Sequence, residues 1–168
     1  MKKATFFSIL SLGLLLIGLG SGNAAYAQTT KTSGQATFEK PYHPEADAQK
    51  DIDALVKQAQ KEKKTVLIQA GGNWCVWCLR FNAYIQQTPS IHSLLEDKFL
   101  YYHLNFSKEN KNEAVFQKYA PEGNKLGYPF FIVLNQDGKT ESIHDSGSLE
   151  RGESYDEAKV LAFLNDLL

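Results

Sequence analysis

The stretch VLIQAGGNWCVWC, residues 66–78, decides the fold that we expect for this chain of 168 residues. It begins with the apolar run Val66-Leu67-Ile68, which is typical of a strand buried on both faces of a sheet. Gly71 and Gly72 then end the strand. The segment Trp74-Cys75-Val76-Trp77-Cys78 follows, and apolar residues continue after it at helical spacing. The pattern therefore predicts a strand, a glycine turn and a helix that starts at the cysteines.

Helical and strand patterns continue on both sides of this stretch. The predicted elements are a helix over 47–63, the strand 66–68, the helix from the cysteines to 88, a helix over 90–98, the strand 99–106, a helix over 110–119, the strands 130–134 and 140–144, and a helix over 154–168. Ser90 and Ser154 are predicted to cap the helices that they begin. This order predicts an α/β fold with a central mixed sheet, parallel then antiparallel, and helices on both faces.

The first 27 residues have the pattern of an export signal. Lys2 and Lys3 precede an apolar run over residues 6–19, and Ala25-Tyr26-Ala27 offers the small residues that a signal peptidase requires. We expect cleavage before Gln28, which would make the mature protein periplasmic or secreted, with no stable membrane anchor. A retained anchor is the alternative, although the run is short for a membrane span.

The rest of the chain divides into a polar segment and one domain. Residues 28–46 are polar, contain Pro41 and Pro44, and show no apolar period, so we interpret them as a linker or an extended arm. Residues 47–168 have the size of a single domain. The formal net charge is −1, and removal of the signal would make it more negative. This balance argues against nucleic acid as a partner and against a basic membrane patch.

The chemistry of the chain is expected at its two cysteines, Cys75 and Cys78. A bridge between them would close a loop too small to stabilise the fold appreciably. At the start of a helix, unpaired backbone N–H groups and the helix dipole favour a thiolate on Cys75. Because a thiolate is the nucleophile in disulfide exchange, Cys75 is predicted to attack and Cys78 to resolve the mixed disulfide.

The size of the dipole effect limits this prediction. A helix dipole contributes up to ~2 kcal/mol, and one pKa unit corresponds to about 1.4 kcal/mol. The dipole should therefore lower the pKa of the Cys75 thiol by about one unit. Neither Val76 nor Trp77 adds a charge, so we expect a moderately lowered pKa and a reducing-to-intermediate potential.

A metal site and an inert local bridge are the alternative interpretations of the cysteine pair. A zinc site needs about four ligands, and the histidines are scattered without paired spacing. They are His43, His92, His103 and His144. We therefore predict no bound metal and no other cofactor, and we expect the histidines to be surface residues or to have satisfied hydrogen bonds.

Together with Tyr128-Pro129 before the apolar strand 130–134, the cysteine segment resembles the thioredoxin family, and in particular its secreted bacterial branch with disulfide-interchange or reductase roles. The resemblance covers residues 47–168. It implies a thioredoxin-like fold and a redox-active disulfide between Cys75 and Cys78. It also implies a cis peptide bond before Pro129, which would lie against the cysteine pair and let its neighbouring backbone pair with a substrate chain.

Four residues around the cysteines are predicted to bind substrate: Trp74, Trp77, Tyr128 and Pro129. We interpret Trp74 as a support of the site and Trp77 as an exposed aromatic contact beside the sulfurs. Tyr128 is either a substrate contact or a packing residue.

Two positions depart from the family pattern. Family members commonly carry an acidic residue beneath the cysteines on the preceding strand, and the matching residue here is Gln69. Because an amide cannot take a proton, deprotonation of Cys78 must depend on water or another group. Family members also often carry a basic residue after the second cysteine, where this chain has Leu79 followed by Arg80. Leu79 excludes c-type haem attachment, which needs His there.

The resemblance implies an extracytoplasmic enzyme that exchanges disulfides with protein substrates, as a reductase or an isomerase. A membrane or periplasmic thiol redox partner would regenerate it, and we expect the protein to be a monomer. Two other functions stay open: a chaperone for a soft metal such as copper that uses the same cysteines, and a non-catalytic module that holds peptides at Tyr128 and Pro129.

Overall fold

The computed structural model describes residues 37–168, and its core is one four-stranded sheet in the order β2-β1-β3-β4. The strands are β1 (Thr65–Gly71), β2 (Phe99–Asn105), β3 (Phe130–Leu134) and β4 (Thr140–Asp145). β1 pairs in parallel with β2 and antiparallel with β3, and β3 pairs antiparallel with β4. The predicted mixed sheet is confirmed.

In this part of the chain five α-helices cover the sheet: α1 (Ala48–Glu62), α2 (Val76–Gln87), α3 (Pro89–Lys98), α4 (Glu113–Tyr119) and α5 (Glu157–Asp166). A two-stranded ribbon, β5 (Glu150–Arg151) and β6 (Ser154–Tyr155), precedes α5. Within residues 37–168 no helix is long and apolar enough to cross a membrane.

Alternate residues of β1 enter two separate cores, which explains the continuous apolar run in the sequence. Val66 and Ile68 pack with residues of α1 and α4 on one face of the sheet. Leu67 packs with residues of α2, α3 and α5 on the other face. All three side chains are fully buried. Helices therefore lie on both faces, as predicted.

Both predicted serine caps are wrong, because a neighbouring residue begins each helix instead. α3 begins at Pro89, which favours the first helical position since it has no backbone N–H to satisfy. Ser90 lies inside α3 and donates a hydrogen bond to Glu157 at 2.6 Å. Ser154 belongs to β6, and Asp156 caps α5 by accepting a hydrogen bond from the backbone N–H of Lys159.

The predicted signal over 1–27 and the first part of the predicted linker lie outside the described residues. The remaining part, residues 37–46, contains no helix or strand, and we call it the arm. Its Tyr42 is only 1% exposed. Further along the arm, the carbonyl of Pro44 accepts a hydrogen bond from the Asn110 side chain at 2.9 Å. The arm therefore packs against the domain.

Candidate active site

The two cysteines lie where β1 passes into α2, and they are joined by a disulfide bond. Cys75 is the N-cap residue of α2, and its Sγ accepts a hydrogen bond from the backbone N–H of Cys78 at 3.1 Å. The Cys75 side chain is 6% exposed, whereas Cys78 is fully buried. Because a backbone N–H and the positive end of the helix both point at Cys75 Sγ, this position favours negative charge on that sulfur in the reduced protein.

The glycine turn before the cysteines is required by close contacts. A side chain at Gly71 would collide with Cys78 Sγ and with the hydroxyl of Tyr42. A side chain at Gly72 would collide with the Trp74 ring and with the carbonyl of Phe106. Glycine at both positions therefore allows the end of β1 to approach the cysteines and the neighbouring loop.

The loop before β3 lies against the cysteine pair. The Tyr128-Pro129 peptide bond is cis, as the resemblance implies. Pro129 is buried, and the carbonyl oxygen of Tyr128 lies 3.5 Å from Cys75 Sγ. The half-buried Tyr128 ring stacks on Phe106 with 5.6 Å between centroids. The structure therefore brings Tyr128, Pro129 and both cysteines together.

The exposures of the two tryptophans differ from those that we expected from the sequence. Trp74, interpreted as a supporting residue, is 58% exposed, and its Nε1 donates to the carbonyl of Phe106 at 2.6 Å. Trp77, interpreted as the exposed contact, is half-buried. Its ring packs edge-on against Tyr155 and lies beneath the Arg80 guanidinium. The exposures differ because Trp74 precedes α2, whereas Trp77 lies inside α2 on the side that faces the β5–β6 ribbon.

A buried polar network lies beneath Cys78. The Tyr101 hydroxyl donates to Gln69 Oε1, while Gln69 Nε2 donates to the Tyr42 hydroxyl and to the carbonyl of Cys78 at 3.2 Å. Gln69 is fully buried, in the place where the resemblance predicts an acid. Burial raises the pKa of both Tyr42 and Tyr101 above the ordinary tyrosine value. All three side chains are therefore neutral.

His103 departs from the prediction that the histidines have satisfied hydrogen bonds. It is the β2 neighbour of Gln69, and its ring lies edge-on to the rings of Tyr42 and Tyr101, at 5.1 and 5.2 Å. Its Nε2 is buried and has no hydrogen-bond partner among the described residues. Burial lowers the pKa of His103 to about 4. The sequence did not indicate that Tyr42 and His103 lie together, because only the docking of the arm brings Tyr42 onto β2 and the cysteines.

An apolar cleft of about 500 Å³ opens beside Trp74. Its lining residues are Trp74, Phe106, Ser107, Lys108, Glu109 and Lys111. Within residues 37–168 there is no group of three or more His, Cys, Asp or Glu side chains that could hold a metal ion. The cleft therefore combines two aromatic side chains, Trp74 and Phe106, with a polar and charged rim.

Comparisons with known proteins agree with this geometry. The profile of the Thioredoxin-like family matches residues 47–136. A disulphide isomerase from Xylella fastidiosa Temecula1 superposes with a TM-score of 0.68 at 21% identity, over 78% of this chain and 98% of that one. A structure described as DsbH oxidoreductase superposes with a TM-score of 0.51 at 16% identity, over 68% of this chain and 78% of that one. No curated protein sequence matches the chain. At these identities the solved structures show a shared fold.

Proposed function

Because the chain belongs to the thioredoxin-like family, we propose that it is a thiol–disulfide oxidoreductase that exchanges disulfides with protein substrates outside the cytoplasm. The observation that carries the proposal is the position of Cys75 Sγ. This sulfur is the cap of α2, it accepts the backbone N–H of Cys78, and it lies 3.5 Å from the carbonyl oxygen of Tyr128. The helix start can thus stabilise a thiolate on Cys75, and the backbone of Tyr128 beside the same sulfur can pair with a substrate chain.

The different burial of the two sulfurs supports different roles. Cys75, which keeps 6% of its surface exposed, attacks the substrate disulfide; the substrate S–S bond breaks, and a mixed disulfide forms on Cys75. Cys78, which is fully buried, then attacks Cys75 Sγ and releases the substrate. The substrate gains two electrons and two protons and leaves as a dithiol, while the enzyme keeps the Cys75–Cys78 disulfide. A membrane or periplasmic thiol redox partner then reduces that disulfide.

The surroundings of Cys75 support a protein as the substrate. Next to Pro129, the backbone at Tyr128 can pair with an extended chain, as β-strand addition does elsewhere. The exposed Trp74 ring and its cleft can hold an apolar side chain beside the substrate cysteine. Trp77 contributes only the exposed part of its ring.

Three observations support the cellular setting and the direction of exchange. The sequence of residues 1–27 predicts export, which brings the enzyme to a compartment where protein disulfides form. The structural relatives are described as a disulphide isomerase and an oxidoreductase. With no charged residue at Val76 or Trp77 to stabilise the thiolate further, we propose reduction or isomerisation of disulfides.

Insulin reduction by dithiothreitol tests the proposal. The wild type should accelerate it, whereas Cys75→Ser and Cys78→Ser should not. After incubation with oxidised protein substrates, Cys78→Ser should keep mixed disulfides on Cys75, and Cys75→Ser should keep far fewer because its remaining sulfur is buried. A folded wild type that adds nothing to the rate of dithiothreitol alone contradicts the proposal, and stoichiometric copper on the purified protein would favour a metal chaperone.

A further inference from the structure

The resolving step requires a thiolate on Cys78, and the surroundings of that sulfur pose a physical problem. Cys78 is fully buried, and burial disfavours the charged form of a thiol. Gln69 beneath it donates to the Cys78 carbonyl, so this amide supports the backbone and not the sulfur. We propose that the Tyr42 hydroxyl, brought in by the arm, donates a hydrogen bond to Cys78 Sγ when that sulfur ionises, and so speeds resolution of the mixed disulfide. This inference rests on the proposed function.

The position of Tyr42 supports this role. Tyr42 and the two cysteines form one buried cluster beside Trp77 and Tyr128. The Tyr42 hydroxyl and Cys78 Sγ both lie next to the position that a Cβ atom of residue 71 would occupy, because a side chain added at Gly71 would collide with both atoms. Tyr42 is 1% exposed, so water has little access to the gap between them.

Hydrogen bonds beneath the site leave the hydrogen of the Tyr42 hydroxyl available. The carbonyl oxygen of Cys78 can only accept, so the group of Gln69 that lies 3.2 Å from it is the NH₂ group. The other side, Oε1, accepts the Tyr101 hydroxyl. Gln69 Nε2 therefore also donates to Tyr42, whose oxygen acts as the acceptor. Among the described residues the Tyr42 hydroxyl donates no hydrogen bond in the disulfide form, so its hydrogen is free to turn towards Cys78 Sγ when that sulfur is a thiolate.

Tyr42 stabilises the thiolate without taking its proton. Because burial raises the pKa of Tyr42, the hydroxyl stays protonated and remains a donor at neutral pH. In the resolving step the Cys78 thiol gives up its proton, the new Cys75–Cys78 bond forms, and the bond from Cys75 to the substrate breaks. The departing substrate thiolate takes up one proton from solvent, so protons and electrons balance.

The arm is fastened to the same turn that carries the cysteines. The backbone N–H of Tyr42 donates to Asn73 Oδ1 at 3.2 Å, and Asn73 Nδ2 donates to the Tyr42 carbonyl at 2.7 Å. Asn73 lies two residues before Cys75. One side chain thus sets the distance between the arm and the active-site turn, which fixes where the Tyr42 hydroxyl can lie.

The Tyr42→Phe variant removes the donor and keeps the ring. Tyr102→Phe is the matched control, since the Tyr102 hydroxyl donates to Asp51, a residue of α1. The reduced proteins are mixed with an aromatic disulfide reagent, dithionitrobenzoate, in a stopped-flow instrument. Attack by Cys75 releases the first coloured thiol, and attack by Cys78 on the mixed disulfide releases the second. The two phases therefore report the two sulfurs separately.

A hydrogen bond to a charged group predicts a second phase about tenfold slower in Tyr42→Phe at neutral pH, with its pH midpoint about one unit higher. The first phase should be unchanged, and Tyr102→Phe should match the wild type in both phases. A wild-type second phase that Tyr42→Phe leaves unchanged in rate and pH midpoint overturns the inference and leaves the proposed function standing. A wild type that shows no second phase overturns the proposed function itself.

Discussion

Acid should destabilise this protein through one partly buried histidine, His103. His103 lies between the rings of Tyr42 and Tyr101, and burial lowers its pKa from 6.5 to about 4. Between these two pH values the unfolded chain binds a proton at His103 that the folded chain does not bind. The free energy of unfolding must therefore fall as the pH is lowered through this interval.

The magnitude follows from the width of the interval. Each pH unit within it changes the free energy of unfolding by about 1.4 kcal/mol, so His103 should remove about 3 kcal/mol between its unfolded and folded pKa values. That is a large part of the stability of an ordinary domain, which is about 5–15 kcal/mol. Protonation would bury a charge beneath the arm that carries Tyr42, and burying a charge is costly, so the arm should detach at the same pH.

Urea unfolding followed by circular dichroism, repeated at several pH values across this interval, measures the slope. The His103→Phe variant keeps an aromatic ring that cannot titrate. Its free energy of unfolding should therefore lack the loss of about 3 kcal/mol that His103 causes in the wild type. His92→Gln is the control, because the His92 ring lies at the surface, 3.4 Å from a Glu96 carboxylate oxygen, and surface contacts of this kind contribute little. Equal slopes in the wild type and His103→Phe would refute the reasoning.

Three further substitutions test the site. Gly71→Ala should destabilise the protein by about 1–3 kcal/mol in urea unfolding, because the added methyl group collides with Cys78 Sγ and the Tyr42 hydroxyl. An unchanged unfolding midpoint would show that the turn accommodates a methyl group at position 71. Asn73→Ala removes both hydrogen bonds to the Tyr42 backbone, so amide hydrogen exchange in the arm should accelerate while exchange in the sheet stays constant. If the arm exchanges at the same rate in Asn73→Ala and in the wild type, Asn73 does not hold the arm in place. Trp74→Ala should slow insulin reduction severalfold but leave reduction of dithionitrobenzoate unchanged, since the ring is largely exposed; equal losses on both substrates would remove Trp74 from protein recognition.

Local patterns predicted the sheet and the place of the cysteines. The apolar run Val66-Leu67-Ile68 is continuous because β1 is buried on both faces, and this property is readable from three residues. The position of Cys75 at a helix start followed from the glycine turn and from the helical spacing after it. The cis bond before Pro129 came from the family resemblance alone.

Features that depend on competition or on long-range contacts were not predictable. Thr88 and Pro89 precede Ser90, and Asp156 follows Ser154, so several residues could begin each helix and packing decides between them. Tyr42 looked like part of a polar linker, because its partners lie 27 or more residues away in the chain. The burial of a side chain in the arm depends on where the arm docks, and the apolar spacing of the sequence does not indicate the docking site.

The most direct test of the central claim is the alkylation rate of Cys75. In Cys78→Ser, Cys75 is the only thiol of the chain, so iodoacetamide reports it alone. If the start of α2 stabilises the thiolate, the folded variant should react at neutral pH severalfold to about tenfold faster than the same variant unfolded in urea, because its thiol pKa is lowered by about one unit. Equal rates in the folded and unfolded protein would contradict the account.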